Sequence, residues 1–299
     1  NSSVPPTKEE ERAPEKADLE ERPEFTVFVQ TKQQFEMVLG KFKMYRKLSE
    51  RSYGIYLAAE SFDAQEWKKL ADRCHEVRCY LMMPRIFRKE AEQYFRKQME
   101  LLTSAGFDAL GIGSMEEPGF LREAGIELPM YFDQGMYSWN HLAGAAMERY
   151  GADRLTIPVE LNEREIRDSG VQGEMIVYGY LPMMISAQCI RKTTLGCSGK
   201  PEIMWLKDRK DMRFPVVNQC RFCYNTIYNS APLSLLGLSE QVTGLKPNAV
   251  RLNFTVEEPA AAGEILDAFF EEYGMSEKAA EPPVLRNQFT RGHFKRGVE

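Results

Sequence analysis

The chain has 299 residues, of which 43% are hydrophobic and 28% are charged, and its formal net charge at pH 7 is -5. These values are typical of a globular protein with one large domain or two small ones. Its apolar runs fall well short of the ~20 residues of a membrane span, and its opening does not resemble a signal peptide, which argues against a membrane protein and predicts a cytoplasmic location. Because the first residue is Asn and not Met, we expect the chain to be part of a longer parent, whose N-terminal portion would be a partner.

Charge is unevenly distributed along the sequence. Residues 1–24 carry eight acidic and four basic residues, are rich in Pro, and contain few large apolar residues, so we predict a disordered linker there. Residues 189–223 carry eight basic against three acidic residues, and residues 284–299 carry four against one. Such local positive charge favours an RNA or anionic small-molecule partner, although a solvated basic surface is the alternative.

From residue 25 onward, short β-branched or aromatic runs alternate with longer helical patterns. Predicted strands cover 25–29, 54–58, 77–83, 109–112, 130–133, 154–159, 174–178 and 249–254, and predicted helices include 32–48, one capped by Ser61, 87–102 and 258–273. Eight βα units predict a TIM-like (β/α)8 barrel over residues 25–275. An open doubly wound sheet is the alternative, but the sequence after the first strand lacks a Gly-rich phosphate fingerprint.

Four of the six cysteines lie close together in the sequence, in a predicted insertion between strands 7 and 8. They are Cys189, Cys197, Cys220 and Cys223, within the module 180–231. Two residues separate the last pair, a spacing that lets two thiolates bind one metal or cluster. Spacing alone does not distinguish zinc from iron–sulfur, and ordinary buried thiols are the third alternative. Segments 203–206 and 212–217 of the module are predicted to form a hairpin beside this centre.

Polar residues follow several predicted strands, where parallel barrels place their chemistry. We expect Glu60, Arg85, Asp133, Glu160, Asn162 and Tyr178 to converge on the cysteine centre. Arginines facing such acids could hold an anionic substrate in bidentate fashion. The alternative is that about half of these acids only cap helices. The basic tail, residues 276–299, is predicted to pack back on the barrel and to bring His293 near its mouth.

Several motifs together resemble peptidase family U32, the collagenase-like peptidases. They are Val-Tyr-Gly-Tyr-Leu-Pro-Met-Met-Ile-Ser-Ala-Gln-Cys at 177–189, the later Cys197, Asp-Arg-Lys-Asp-Met-Arg-Phe-Pro at 208–215, Cys-Arg-Phe-Cys at 220–223, Thr-Arg-Gly-His-Phe-Lys-Arg-Gly at 290–297 and Pro-Val-Glu-Leu-Asn at 158–162. The likeness covers nearly everything from residue 25 and is strongest to the C-terminal barrel of the family's long members.

This resemblance implies a TIM-like barrel and a four-iron four-sulfur cluster on Cys189, Cys197, Cys220 and Cys223. It also implies oxygen-independent hydroxylation of an RNA base or a similar aromatic ring, despite the peptidase label. Many members carry Val-His-Gly where this chain has Tyr178, so the role of that histidine does not transfer. On this hypothesis Glu160, Asn162 and Tyr178 are the catalytic candidates, and the substrate-binding candidates are Glu60, Arg85, Asp133, Arg251, Arg291 and His293.

Two other functions remain open at the level of sequence. The chain could be a peptidase acting on collagen-like or unfolded chains, although the sequence shows no G-x-S-x-G or H-E-x-x-H motif. It could also be a non-catalytic half of a larger protein, in which the four cysteines hold a structural zinc ion.

Overall fold

The computed structural model describes residues 22–275, 279–286 and 288–297. Most of the predicted linker, residues 1–21, lies outside the described residues, as do positions 276–278, 287, 298 and 299 of the predicted tail. Of the linker, residues 22–24 are described, and Glu24 already belongs to the first strand.

Eight strands form a parallel sheet, and their side chains alternate between two buried surfaces. The strands are β1 (Glu24–Val29), β2 (Tyr53–Ala58), β3 (Arg78–Met82), β4 (Ala109–Ile112), β5 (Met130–Phe132), β6 (Arg154–Leu155), β7 (Glu174–Gly179) and β13 (Ala249–Asn253). Their order is β7-β13-β1-β2-β3-β4-β5-β6, and every neighbouring pair is parallel. A short strand, β12 (Leu233–Ser234), pairs antiparallel with β7.

The two ends of this sheet approach each other. Thr156, one residue after β6, forms a parallel bridge with Glu174 at the start of β7. The amide of Ile157 donates a hydrogen bond to the Glu174 carbonyl oxygen at 2.9 Å. The fold is therefore mixed α/β with a curled parallel sheet. The sixth predicted strand, 154–159, is shorter than expected because Pro158, which lacks an N–H, cannot continue a ladder.

The helices are α1 (Lys32–Tyr45), α2 (Ala64–Arg73), α3 (Lys89–Lys97), α4 (Met99–Ser104), α5 (Glu116–Glu123), α6 (His141–Tyr150), α7 (Glu163–Ser169), α8 (Ile190–Thr194), α9 (Ser239–Thr243) and α10 (Pro259–Phe269). All except α8, which belongs to the cysteine module and buries none of its residues, cover the outside of the curled sheet. Apolar residues spaced by three and four along α1, including Phe35, Val38, Leu39 and Phe42, are buried against the sheet. This burial is the reason that the helical periodicity was readable in the sequence.

Three helix predictions were wrong in detail. The second helix begins at Ala64 after Asp63, not at a Ser61 cap, because residues 59–62 form a turn in which Phe62 is buried. The predicted helix 87–102 is divided at Gln98, whose backbone leaves the helical region with φ -104° and ψ 12°. The last predicted helix changes from α10 into a π-helical turn at Phe270–Gly274.

A second, antiparallel sheet lies between β7 and β13 in the sequence and contains the cysteine module. Its strands are β8 (Pro182–Ser186), β9 (Ile203–Lys207), β10 (Arg213–Gln219) and β11 (Tyr224–Tyr228), in the order β8-β11-β10-β9. Strands β9 and β10 form the hairpin that the sequence predicted. Strands β10 and β11 are joined by the four residues of the Cys220–Cys223 motif.

The described part of the C-terminal tail packs beside β7. Thr290 bridges to Leu233 of β12, and the amide of Glu163 donates a hydrogen bond to the Phe294 carbonyl oxygen at 2.9 Å. Phe294 is buried against Leu233, Leu235 and apolar residues near α7. The tail therefore joins β12 to the region before α7.

Gly179 ends β7 at a point where the backbones of β7 and β13 approach closely. Its φ is +145°, and a Cβ there would lie 2.7 Å from both the Cβ and the carbonyl oxygen of Asn253 in β13.

We expect Gly179→Ala to lower the free energy of unfolding by about 1–3 kcal/mol, because the backbone must shift. The control is Gly119→Ala in α5, where a Cβ meets nothing within 4 Å, so stability should rise slightly. Denaturant unfolding that gives equal effects for both variants would contradict this reading.

Candidate functional site

A cavity lies at the carboxyl ends of the parallel strands, between the curled sheet and the antiparallel sheet. Its lining residues come from both sheets: Phe28, Gln30, Glu60, Met82, Met83, Arg85, Asp133, Gln134, Tyr180, Pro182, Gln219, Tyr224, Thr226, Tyr228, Arg251, Asn253 and Thr255. The cavity has a volume of about 60 Å³.

Three of the predicted residues form a charged cluster at this wall. Asp133, directly after β5, accepts a hydrogen bond from Arg85 Nη2 at 2.9 Å and another from Arg251 Nη2. Arg251, in β13, is 2% exposed and also pairs through Nη1 with Glu174 at 2.9 Å. The structure brings these three side chains together at the carboxyl ends of the parallel strands.

The charges of this cluster stabilise one another. Burial alone would raise the pKa of the Asp133 carboxyl, but the guanidinium groups of Arg251 and Arg85 outweigh it and lower the pKa. Burial opposes the charge of Arg251, and the nearby Glu174 and Asp133 carboxylates more than restore it, so its pKa is raised. Both partners are therefore ionised at neutral pH. A buried pair of this kind is costly to break, since each partner would leave an uncompensated charge.

Glu60 stands at the junction of the two sheets. It lies two residues after β2, is buried, and accepts a hydrogen bond from the Tyr224 hydroxyl. Its backbone oxygen accepts a hydrogen bond from Arg221 Nε at 3.2 Å, and Arg221 also donates to the Tyr94 hydroxyl at 2.9 Å. Glu60 thus ties the Cys220–Cys223 turn to the end of β2.

Burial raises the pKa of Glu60 above 4.5, its ordinary value, and the hydrogen bond from Tyr224 only partly offsets this. The folded state therefore holds this proton more tightly than the unfolded chain, and stability is lost as the pH rises from 4.5 through the folded pKa. Glu60→Gln keeps an acceptor for Tyr224 and should raise the free energy of unfolding at pH 7 by on the order of 1 kcal/mol.

The difference between Glu60→Gln and the wild type should disappear below pH 4.5, where both the folded and unfolded carboxyl groups are protonated. Urea unfolding from pH 4 to 8 measures it. Glu50→Gln, at an exposed position, is the matched control and should show little change. A gain at pH 7 that persists unchanged at pH 4 would refute the assignment of the shift to Glu60.

Several polar atoms at the cavity wall lack a partner within the protein. Gln134 Oε1, Asn253 Oδ1, Thr255 Oγ1 and Arg251 Nε are buried and have no hydrogen-bond partner among residues 22–275, 279–286 and 288–297. Buried polar atoms are normally paired, by protein, water or ligand. These four atoms include both acceptors and donors, so the cavity is suited to a ligand whose edge presents both.

The four cysteines of the module are gathered around the antiparallel sheet. Cys220 and Cys223 close the β10–β11 turn, and Cys223 has a left-handed backbone with φ 55°. Cys189 lies across the sheet, with its Sγ 3.8 Å from Asn218 Oδ1, and the next amide donates to Asn225 Oδ1 at 2.8 Å. All four are free thiols.

Four cysteine thiols have the ligand chemistry of a metal centre. Burial raises the pKa of the Cys220 thiol, and the charges of Cys189, Cys197 and Cys223 raise it further. Thiolates are the ligands of iron–sulfur clusters and of structural zinc. Within the described part of the chain, no group of three or more His, Cys, Asp or Glu is already arranged to hold a metal ion.

Five of the predicted site residues lie elsewhere. Tyr178 is a core residue packed against Phe254 and Phe269, and burial followed by the Glu257 carboxylate raises its pKa well above the usual value. Asn162 caps α7, with its Oδ1 accepting from the amide of Glu165 at 2.9 Å.

Glu160 lies in the turn before Asn162, away from the residues that line the cavity. The two predicted residues of the tail also bind locally. Arg291 donates to the Ser234 carbonyl oxygen at 2.8 Å, and His293 Nδ1 lies 2.8 Å from the Gly297 carbonyl oxygen. The structure therefore places these side chains beside β12 and α7 and not at the cavity.

Sequence reasoning missed most of the cavity's uncharged residues. Tyr180, Tyr224 and Tyr228, together with Gln30 and Gln219, line the wall. The available signal was position: Gln30 directly follows β1 and Tyr180 directly follows β7, the same location that singled out the charged residues. Gln219 and Tyr224 directly flank Cys220 and Cys223.

The fold and site define a mixed α/β protein with a polar cavity where its parallel strands end, walled on one side by a cysteine module. A family model described as Peptidase family U32 matches residues 46–261. The match spans more than half of the chain, so the chain belongs to peptidase family U32, as its motifs predicted.

The chain is similar in structure to the YdjI aldolase from Escherichia coli K12, with a TM-score of 0.40, 11% sequence identity, and coverage of 85% of this chain and 81% of that one. No curated protein matches the chain. Among the described residues, no helix combines the length and the apolar character needed to cross a membrane.

Proposed function

We propose that this protein is an iron–sulfur-dependent enzyme that hydroxylates an RNA base or a similar aromatic ring in the cavity described above. The observation that carries the proposal is the shared wall: Gln219 and Tyr224, which flank Cys220 and Cys223, line the same cavity as Arg85 and Asp133. A centre on these cysteines would therefore lie beside this wall, on the face of the antiparallel sheet that carries Asn218, and would exchange electrons with the ligand across the sheet. Membership of peptidase family U32 supports this reading through the motifs that the chain shares with the family.

The protein's own residues have distinct tasks in this proposal. Asp133 fixes Arg85 and Arg251 in place, so that both guanidinium groups face the ligand from a rigid wall. Gln134, Asn253 and Thr255 supply the unpaired acceptors and donors for the ring's edge. Glu60, whose pKa is raised by burial, lies at the same wall and is a candidate proton donor or acceptor.

Cys189, Cys197, Cys220 and Cys223 would hold the four-iron four-sulfur cluster, which when bound supplies single-electron transfer. Replacing a ring C–H by C–OH with oxygen from water releases two electrons and two protons. A soluble electron carrier would have to accept those electrons. Zinc at the same four thiols is the alternative occupant, and it would make the module structural.

The proposal also covers the closure of the barrel and the cellular location of the protein. The bridge between Thr156 and Glu174 supports a complete TIM-like eight-stranded barrel, closed between β6 and β7. The six free thiols favour a reducing, cytoplasmic location.

The activity is testable with RNA. Anaerobically prepared protein, a chemical oxidant as electron acceptor and RNA from cells that lack the gene would be incubated, digested to nucleosides and examined by mass spectrometry. The expected result is a nucleoside heavier by one oxygen atom, absent with Cys220→Ala and much reduced with Arg85→Met. Hydroxylation that survives in Cys220→Ala, or cleavage of gelatin by the same preparation, would overturn the proposal in favour of other chemistry.

A further inference from the structure

The antiparallel sheet has two faces with different neighbours. In its register Val217 lies opposite Thr226, and Gln219 lies opposite Tyr224, so these four side chains share one face. Three of them, Gln219, Tyr224 and Thr226, line the cavity. We call this the inner face. The opposite face carries Asn218 and Asn225, which contact Cys189 and the residue that follows it.

The inner face continues beyond the cavity onto the β9–β10 hairpin. Strand β9 pairs with β10 so that Ile203 lies opposite Val217, Trp205 opposite Pro215, and Lys207 opposite Arg213. Because side chains alternate along a strand, these pairs lie on the same face as the cavity-lining residues. A single surface therefore runs from the cavity to the tip of the hairpin.

This outer part of the inner face combines an exposed aromatic ring with positive charge. Trp205 is 56% exposed and Ile203 is 44% exposed, although tryptophan is usually well buried. Residues 203–217 contain four basic side chains, Lys207, Arg209, Lys210 and Arg213, against two acidic ones. All four basic residues are exposed.

We propose that the inner face of the β9–β10 hairpin, centred on Trp205 with Lys207 and Arg213, binds single-stranded RNA and directs one nucleotide toward the cavity. An exposed aromatic ring with flanking cations matches the needs of such a strand, whose bases stack and whose phosphates are anionic. The apolar surface alone would also suit a protein partner, but the excess of positive charge favours a polyanion. This inference rests on the proposed function, because it names the docking surface of the same site.

The first test is binding of a fluorescein-labelled 12-nucleotide oligouridylate to the full chain, followed by anisotropy at low salt. Trp205→Ala should weaken binding by about tenfold or more, since loss of one stacked base costs that much. Trp205→Phe keeps an aromatic face and should restore most of the affinity. Trp139→Ala, which removes another exposed tryptophan, is the matched control and should bind like the wild type.

The second test separates phosphate contacts from stacking. A plot of log affinity against log salt concentration has a negative slope. The double variant Lys207→Gln and Arg213→Gln should reduce the magnitude of this slope by about 1.4, or about 0.7 for each phosphate contact to a single strand. The double variant Lys43→Gln and Lys47→Gln changes the same charge at exposed positions in and just after α1. It should leave the slope unchanged.

Several results would overturn the inference. Undetectable binding by the wild type, equal affinity for duplex and single-stranded RNA, or a Trp205→Ala variant that binds normally would each do so. Sedimentation that shows a dimer broken by Trp205→Ala would assign the surface to a second copy of the chain instead.

Thermal unfolding of each variant shows that loss of binding is not loss of folding. Binding requires neither iron nor turnover, so the outcome is separable from that of the proposed function. Cluster-loaded protein that fails to bind RNA would refute only the docking surface. Colourless protein that binds RNA through Trp205 would refute only the iron–sulfur enzyme.

Discussion

Arg251→Met is expected to lower the free energy of unfolding at pH 7 by about 3–5 kcal/mol, the usual cost of removing one partner from a buried ion pair. Arg251 is 2% exposed and is the cation shared by Asp133 and Glu174. The methionine fills similar space but leaves two carboxylates with less compensation. Glu174 would retain the hydroxyl donors Thr26 and Tyr56, and Asp133 would retain Arg85.

The loss should depend on pH in a defined direction. In the wild type, Arg251 and Arg85 hold the pKa of Asp133 below its ordinary value of 3.8, so this stabilisation is present above pH 3.8 and is lost as the pH falls through the folded pKa. Arg251→Met removes the larger of these two interactions. The deficit relative to the wild type should therefore shrink in acid.

Urea unfolding at pH 7 and in acid measures both effects. The control is Arg96→Met, which breaks ion pairs with Glu92 and Glu123 that are largely exposed and should cost less than about 1 kcal/mol. An Arg251→Met variant that unfolds no more easily than Arg96→Met would show that the charged cluster does not stabilise the fold.

Removal of a single module cysteine is expected to have the largest effect on cofactor content. After anaerobic preparation, Cys189→Ala, Cys197→Ala, Cys220→Ala and Cys223→Ala should each fall from about four irons per chain to less than about one, because a cubane cluster uses four thiolates. Cys74→Ala is the matched control. Its thiol is buried in the core, so the variant should keep its iron even if it is somewhat less stable.

The same variants distinguish a catalytic from a structural centre. If the four thiols hold structural zinc, Cys220→Ala should unfold the module, because metal binding then supplies folding free energy. If they hold a cluster used in catalysis, circular dichroism should remain close to that of the wild type while colour and activity disappear. Iron retained by all four variants would contradict the assignment of these ligands.

Strand positions and the charged cluster could be predicted from sequence because they depend on local patterns. Strand β1 shows the pattern of a buried strand, and α1 shows a clear apolar face. Asp133 directly follows β5 and Arg85 lies three residues after β3, and the ends of parallel strands must meet.

Long-range geometry could not be predicted in the same way. Glu160 and Asn162 also follow a predicted strand, but β6 ends after two residues and the chain turns toward α7, where Asn162 becomes a cap. Tyr178 was predicted to face the cavity but faces the core. Successive residues of β7 point to opposite sides of the sheet, so an error of one residue in the position of the strand reverses the side that a residue faces. Tyr224 reaches the cavity only through the pairing of β10 with β11.

The most direct test of the central claim is the iron, sulfide and zinc content of the wild-type chain prepared without oxygen. We expect about four irons and four sulfides per chain, with a brown colour that fades in air. Colourless protein that contains one zinc ion and no sulfide would contradict the claim.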